Sequence, residues 1–459
     1  MQKIHGIDVN GQVNRRGLLG LTAAGFGLVA AATGPGSAAM ASRSVPAMLP
    51  APRQGARRMP RSFLWGASTA GHQIEGNNVN SDAWVMENVR QSIFPERSGD
   101  ACDSLHRYPE DILLLKELGL NSYRFSIEWA RIEPAEGVFS RAMLDYYKRV
   151  VEYCHNAGIR PCVSFNHYVN PAWFAASGGF MRPDGPQIFA RYCEIAAKHL
   201  ADGMHMAFTL NEPQAPIIID IMTKGADRAK LASMERAAAE VCGSDRFVTW
   251  KTIDPVAGVQ PTIRAHKLGY AAIKSVRSSL PVGVCLATID YRGIGENSIA
   301  SEVRERIDGP WMAAAKQAGD FVGVQNYWPL YLDNKGPTTA PEGTVINGVF
   351  PFDFDSLNNC IRETHRATGK PILITENGLD SPDDGRRILY MTNVLNRLGN
   401  VLDEGIPLLG YLHWSLIDNY EWGSFQAKFG LAEVNRTTFK RTPKPSGWML
   451  GEFARRGLI

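Results

Sequence analysis

Two short runs hold the residues best suited to chemistry. Met206-Ala-Phe-Thr-Leu-Asn211-Glu212-Pro213 and Pro371-Ile-Leu-Ile-Thr-Glu376-Asn377-Gly378 are both apolar, β-prone stretches. Each closes on a glutamate, with turn-forming residues next in the chain. A carboxyl group in that position serves as acid, base or nucleophile, or it merely caps a helix or joins an ion pair. Two of them on two strand ends suggest one site assembled from both. Paired carboxylates are the equipment for cleaving a glycosidic bond.

Such a site needs a frame that gathers strand ends. Short β-like runs fall at 62–67, 121–126, 160–165, 206–210, 282–287, 320–325, 372–375 and 408–414. Helical periodicity falls between them at 109–118, 142–156, 187–201, 261–276 and 386–403. Eight strands separated by helices, without a break in composition, predict one parallel (β/α)8 TIM barrel over residues 61–459. An open doubly wound sheet would need a glycine-rich turn after its first strand. The run Phe63-Leu-Trp-Gly-Ala-Ser-Thr-Ala-Gly lacks that GxGxxG spacing. In a barrel the chemistry sits at the C-terminal ends of the strands. Gln73 and Glu75 follow the first strand and Arg124 ends the second. Asn166 and His167 end the third, Asn211 and Glu212 the fourth. Tyr327 follows the sixth, Glu376 ends the seventh and Trp414 the eighth.

The bulk numbers suit this frame. The chain has 459 residues, 44% hydrophobic and 21% charged, which is enough for one large core. A net charge of +3 gives no electrostatic reason to seek nucleic acid or anionic lipid. Seven cysteines, an odd number without a CxxC pair, read as buried thiols rather than a disulfide framework. No HExxH, GxxxxGK[ST] or zinc-ligand spacing occurs, so neither metal nor cofactor is expected.

The N-terminus reads as an address. Asn14-Arg15-Arg16-Gly17-Leu18-Leu19-Gly20 precedes an uncharged, mildly apolar run broken by Gly34-Pro35-Gly36. Ala39-Met40-Ala41 then offers small residues at cleavage-site spacing. Residues 1–41 resemble a twin-arginine export signal, and the expected location is periplasmic or secreted. A stable membrane span wants about 20 strongly apolar residues, and the glycines argue against one. Residues 42–60, rich in Pro, Ala and Arg, read as a linker.

Several motifs occur in a telling order: Phe63-Leu-Trp-Gly-Ala-Ser-Thr-Ala-Gly-His-Gln73-Ile-Glu-Gly, Tyr123-Arg124-Phe-Ser-Ile-Glu-Trp129-Ala-Arg131-Ile, Thr209-Leu-Asn211-Glu212-Pro213 and Ile374-Thr-Glu376-Asn377-Gly378. Trp414-Ser-Leu-Ile-Asp-Asn-Tyr-Glu421-Trp422 and Arg441-Thr-Pro-Lys-Pro-Ser close the series. Over residues 63–448 the chain resembles glycoside hydrolase family 1, the β-glucosidase family. The resemblance implies a retaining exo-β-glycosidase acting by double displacement, with Glu376 as nucleophile and Glu212 as acid/base. It further implies that Arg124 and Tyr327 orient Glu376 and that Asn211 bonds the sugar 2-OH. Gln73, His167, Glu421 and Trp422 would contact the sugar, with Trp414 stacked beneath it. Relatives acting on 6-phosphosugars carry a small hydroxyl residue in place of Glu421. A carboxylate there implies an unphosphorylated glycone, β-D-glucose above all, with galactose or fucose tolerated.

The chain departs from the family in four places. Tyr168 replaces a tryptophan after His167, and Gln325 replaces an asparagine before Tyr327. The 214–255 segment differs and holds a helix-like stretch at 226–240. The run after Trp422 is short. These changes bear on the aglycone and one edge of the sugar pocket. The same residues would also serve a transglycosidase, whose acceptor is an alcohol or sugar. A non-catalytic sugar-binding relative would typically have lost one carboxylate.

Overall fold

The computed structural model describes residues 56–459. The export signal read at 1–41, and the linker as far as residue 55, lie outside the described residues. Residues 57–59 pair with the other end of the chain. The Arg57 amide donates to Ile459 O and the Met59 amide to Gly457 O, both at 2.8 Å.

Eight strands close into one barrel: β1 (Leu64–Ser68), β2 (Ser122–Ser126), β3 (Arg160–Asn166), β4 (Met206–Asn211), β5 (Val282–Ala287), β6 (Phe321–Gln325), β7 (Ile372–Glu376) and β8 (Leu408–Trp414). Each pairs in parallel with its sequence neighbours, and β8 closes on β1. Their residues are almost all buried, which is why the strands read as continuous apolar runs rather than alternating ones. Eight helices follow the strands in turn: α1 (Ser104–Leu118), α2 (Arg141–Ala157), α3 (Gly185–Leu200), α4 (Val259–Val276), α5 (Ala300–Gln317), α6 (Ser356–Thr368), α7 (Asp384–Asp403) and α8 (Pro445–Arg456). Local chemistry fixes several ends. The Ser140 hydroxyl caps α2 by accepting from the Met143 amide, and Gly158 ends it in the left-handed region at φ 79°.

Two apolar layers hold the barrel. Leu64, Cys162, Met206, Phe208, Cys285, Phe321, Leu373 and Leu412 form an interior cluster. A larger cluster, including Trp129, Tyr192, Val322, Ile374 and Leu395, lies between strands and helices. All seven cysteines are unpaired thiols, and only Cys242 is not buried. No described helix is long and apolar enough to cross a membrane.

Two breaks in strand register set up the site. On β4, Met206 and Phe208 point into the barrel, so strict alternation would turn Leu210 inward and Asn211 outward. The pairing with β5 slips between Phe208 and Asn211. Leu210 therefore joins the outer layer, and Asn211 reaches the interior beside Arg124. On β7 the register slips between Ile374 and Glu376 and brings Glu376 level with Gln325 of β6. A bulge of this kind re-aims a side chain, and here one lies at each of the two glutamate-bearing strand ends.

Candidate active site

The mouth of the barrel gathers the predicted residues. Arg124, wholly buried on β2, donates from Nη1 to Glu376 Oε1 at 2.6 Å and from Nη2 to Asn211 Oδ1. Its guanidinium lies 5.3 Å from the Phe208 ring centroid, over the interior apolar layer. Tyr327 donates its hydroxyl to Glu376 Oε2 at 2.7 Å. Gln325 donates from Nε2 to Glu376 Oε1 at 2.8 Å and to Asn211 Oδ1 at 2.9 Å. Two donors on Oδ1 fix the orientation of the Asn211 amide, so its Nδ2 faces His167 Nε2 at 3.3 Å. That nitrogen must accept, so the proton sits on His167 Nδ1. Burial and the neighbouring Arg124 charge hold the imidazole neutral, its pKa well below the usual value.

The two glutamates stand in different surroundings. Burial pushes both carboxyl groups up. Around Glu376 the Arg124 cation and the Tyr327 and Gln325 donors oppose that rise and favour the ionised form. Glu212 has less support. Its carboxyl is pushed up to about 8, by burial first and by the Glu376 charge second. The Tyr168 hydroxyl donates to its Oε2 and acts the other way. The ionised form is thus supported far more strongly at Glu376 than at Glu212, which keeps its proton near neutral pH, an arrangement suited to a nucleophile and a proton donor in one pocket.

Backbone geometry serves the same end. Glu212, Tyr168 and Trp422 occupy the left-handed region at φ 42°, 69° and 47°. Non-glycine residues pay for that conformation, and three of them meet at this mouth. Gly378 is required by close approach: a Cβ there would lie 2.1 Å from the Trp414 carbonyl oxygen. Asn377 ties the same corner together, donating from Nδ2 to Asn326 O at 2.8 Å and accepting from the Tyr411 hydroxyl at 3.0 Å.

A second group forms the wall after β8. The Trp414 indole donates to Glu421 Oε1 at 2.9 Å, and Gln73 Nε2 lies 3.2 Å from Glu421 Oε2. Burial pushes the Glu421 carboxyl up to about 8. His167 stacks on Trp414 with centroids 5.6 Å apart and planes at 20°. His72 stacks on Trp422 at 6.0 Å and 7°. Among the described residues Gln73 Oε1 and His167 Nδ1 find no hydrogen-bond partner, a buried acceptor and a buried donor of the kind a sugar hydroxyl satisfies.

Two strand-end residues named from sequence belong to the scaffold instead. Glu75 turns onto Arg131 at 2.8 Å and accepts from the Tyr147 hydroxyl at 3.0 Å. Asn166 orders its own loop, donating to Val169 O at 3.0 Å and Asn170 Oδ1 at 3.1 Å. Conversely, three contacts were not foreseen. Gln325 touches Glu376 itself, not merely an edge of the sugar pocket. Tyr168 touches Glu212. Trp250, from the divergent 214–255 segment, stacks on Tyr168 with centroids 4.3 Å apart and planes at 20°. Among the described residues no cluster of three His, Cys, Asp or Glu side chains is arranged to hold a metal ion.

Residues 56–225 and 306–457 match the sequence profile of Glycosyl hydrolase family 1. The chain belongs to this family. The match covers both glutamate-bearing strands and omits 226–305, which includes Trp250 and β5. "Beta-glucosidase A" of Acetivibrio thermocellus is 28% identical over 86% of this chain and 97% of its own length. "Beta-glucosidase A" of Thermotoga maritima is 27% identical over 85% and 96%. Among solved structures, a beta-glucosidase termed 1317 superposes with a TM-score of 0.83 at 40% identity, covering 86% of this chain and 99% of its own. Beta-glycosidase BGL167 superposes with a TM-score of 0.82 at 42% identity, covering 86% and 97%. The family 1 chain is an O-glycoside hydrolase.

Proposed function

We propose that this family 1 enzyme is a retaining exo-β-glycosidase whose preferred glycone is unphosphorylated β-D-glucose. One observation carries the reading: two buried carboxyl groups share a pocket in unequal surroundings, because Arg124, Tyr327 and Gln325 all donate to Glu376 while Tyr168 is the donor to Glu212 among the described residues. Glu376 attacks the anomeric carbon as the bond to the leaving oxygen breaks, and Glu212 gives that oxygen its proton. The resulting ester carries no charge at Glu376, so Glu212 loses the repulsion that raised its pKa. It then takes a proton from water as the water oxygen displaces the ester. Asn211, anchored by Arg124 and Gln325, keeps its amide set for the sugar 2-OH.

Glucose as glycone is supported by the names of the curated relatives and by Glu421. A phosphate on the sugar would meet a wall carrying Glu421 and lying near Glu376, and among the described residues no arginine hydrogen-bonds the Glu421 side chain. Proton NMR of the first-formed sugar, taken before mutarotation, tests retention: a β-glucoside should release β-glucose first, and α-glucose would overturn the mechanism. A panel of nitrophenyl β-glycosides tests the glycone. The glucoside should lead the panel and the 6-phosphoglucoside should be the poorest.

We also propose that the chain is exported folded through its twin-arginine segment. Unpaired, largely buried cysteines suit a protein that folds before export. N-terminal sequencing of exported protein should begin at Ser42. A cytoplasmic product starting at Met1 would reject the idea.

A further inference from the structure

Two of the sequence's departures from its family meet in space. Tyr168 follows β3, buried, with its hydroxyl on Glu212 Oε2. Among the described residues it is the only hydrogen-bond donor to the Glu212 side chain. Its ring is enclosed on three sides. Trp250 stacks against one face at 4.3 Å, while His167 and Trp422 meet it edge-on, each at 5.2 Å. Trp250 comes from the stretch that the family match omits. The segment carrying it is pinned to the barrel through the Val248 amide, which donates to Ala175 O at 2.9 Å.

We propose that Tyr168, locked by Trp250, is a positioning residue for Glu212: it selects which carboxyl oxygen carries the catalytic proton. The reasoning is one of hydrogen-bond capacity. A phenol that donates to Oε2 occupies that oxygen, so the proton of the acid form resides on Oε1. The carboxyl group is thereby held in one orientation and one protonation pattern for both half-reactions. The same bond favours the carboxylate, so it keeps the proton transferable where burial and Glu376 would otherwise tighten its hold. The groups facing Glu212 are Glu376 from β7, Arg124 from β2 and Tyr168 after β3, together with the Cys285 thiol of β5 and the Tyr327 phenol. Within this set Glu376 raises the proton affinity, and Arg124 and Tyr168 lower it. The thiol and the phenols stay neutral through the working pH range.

This inference rests on Glu212 being the acid/base. That reading is tested separately by Glu212→Ala across a leaving-group series, which leaves Tyr168 untouched. For Tyr168 itself the test is the pH dependence of kcat/KM in Tyr168→Phe, which keeps the stacked ring and loses only the hydroxyl. The basic limb should move up by about one pH unit, because a hydrogen bond to the charged form has been removed. Glycosides with poor leaving groups should lose about tenfold at neutral pH, and activated aryl glycosides much less. A uniform loss at every pH, with the basic limb unmoved, would overturn the proposal, since that is what loss of packing alone produces. The contribution of Trp250 is read from Trp250→Leu, or from Trp250→Phe where the leucine variant is unstable. Combined with Tyr168→Phe, it should add no further displacement of the limb. Fully additive effects would show that Trp250 does not act through Tyr168.

Discussion

Glu376→Ala is expected to lose on the order of 10⁶-fold in kcat on any β-glycoside, the scale of losing a covalent nucleophile. The surroundings explain why the loss should be chemically reversible. Alanine would leave the buried Arg124 cation, the Tyr327 hydroxyl and the Gln325 amide facing an emptied space, all three of which donate to Glu376 in the intact site. Three donors, one of them charged, make an anion site. Azide or formate should enter it and attack the anomeric carbon from the side Glu376 occupied. With azide, the C–N bond should form as the bond to the leaving oxygen breaks, with the departing group protonated by Glu212 on the proposed mechanism. No second displacement follows, so the product is the α-glycosyl azide, inverted relative to the substrate. An uncompensated buried arginine costs about 3–5 kcal/mol, so azide should also raise the thermal midpoint of the variant. Chromatography and NMR of the products decide the matter. Wild-type-like turnover, or a β-configured azide, would remove Glu376 from the role of nucleophile.

What the sequence disclosed and what it concealed have separate physical causes. All eight strands were legible, because buried parallel strands appear as short β-branched and aromatic runs between turn-formers. Three barrel helices, α5, α6 and α8, went unrecognised. α5 carries Gly309-Pro310 in its middle amid Glu302, Arg304, Glu305, Arg306 and Asp308, and packing against the barrel overrides those local signals. α6 is rich in polar helix-neutral residues, with Asn358, Thr364 and Thr368 buried. The start of α1 was read at Pro109, a natural first-turn residue, yet the helix begins at Ser104 and tolerates the proline inside it.

The site divides along similar lines. Glu212, Glu376, Arg124 and Asn211 stand at strand ends that pattern alone identifies. That Asn211 and Glu376 face the interior depends on two register slips, which are properties of strand pairs and leave no mark on either strand alone. The Gln325 contact follows from the second slip. The Tyr168–Trp250 stack joins two loops, and neither announces the other. Sequence could flag both loops as divergent but could not show that they converge on Glu212.

Glu212→Ala should divide substrates by their leaving groups. On the proposed mechanism Glu212 delivers a proton to the departing oxygen in the first step. An unactivated alcohol or sugar needs that proton and should suffer on the order of 10²–10⁴-fold in kcat/KM. A dinitrophenolate leaves without help, so its kcat/KM should hold within roughly tenfold, while kcat falls because water must attack the ester without a base. The pH profile supplies a second reading. With the Glu212 carboxyl pushed up to about 8, the protonated form needed for the first step is present below that pH and lost above it. Wild-type kcat/KM should therefore fall as pH rises through about 8, and the fall should vanish in Glu212→Ala. Glu376→Gln should act on the same group from the other side. With the repelling charge gone, the Glu212 carboxyl should titrate at lower pH, as ¹³C-labelled glutamate NMR would report. Equal losses on activated and unactivated substrates, together with an unaltered basic limb, would mean that the proton is carried elsewhere. The raised affinity of Glu212 would then express only its burial and the neighbouring Glu376 charge, not a catalytic role. If the losses diverge, the same carboxyl holds a proton while Glu376 is charged and gives it up once Glu376 is an ester, so the pair itself times the acid and base steps.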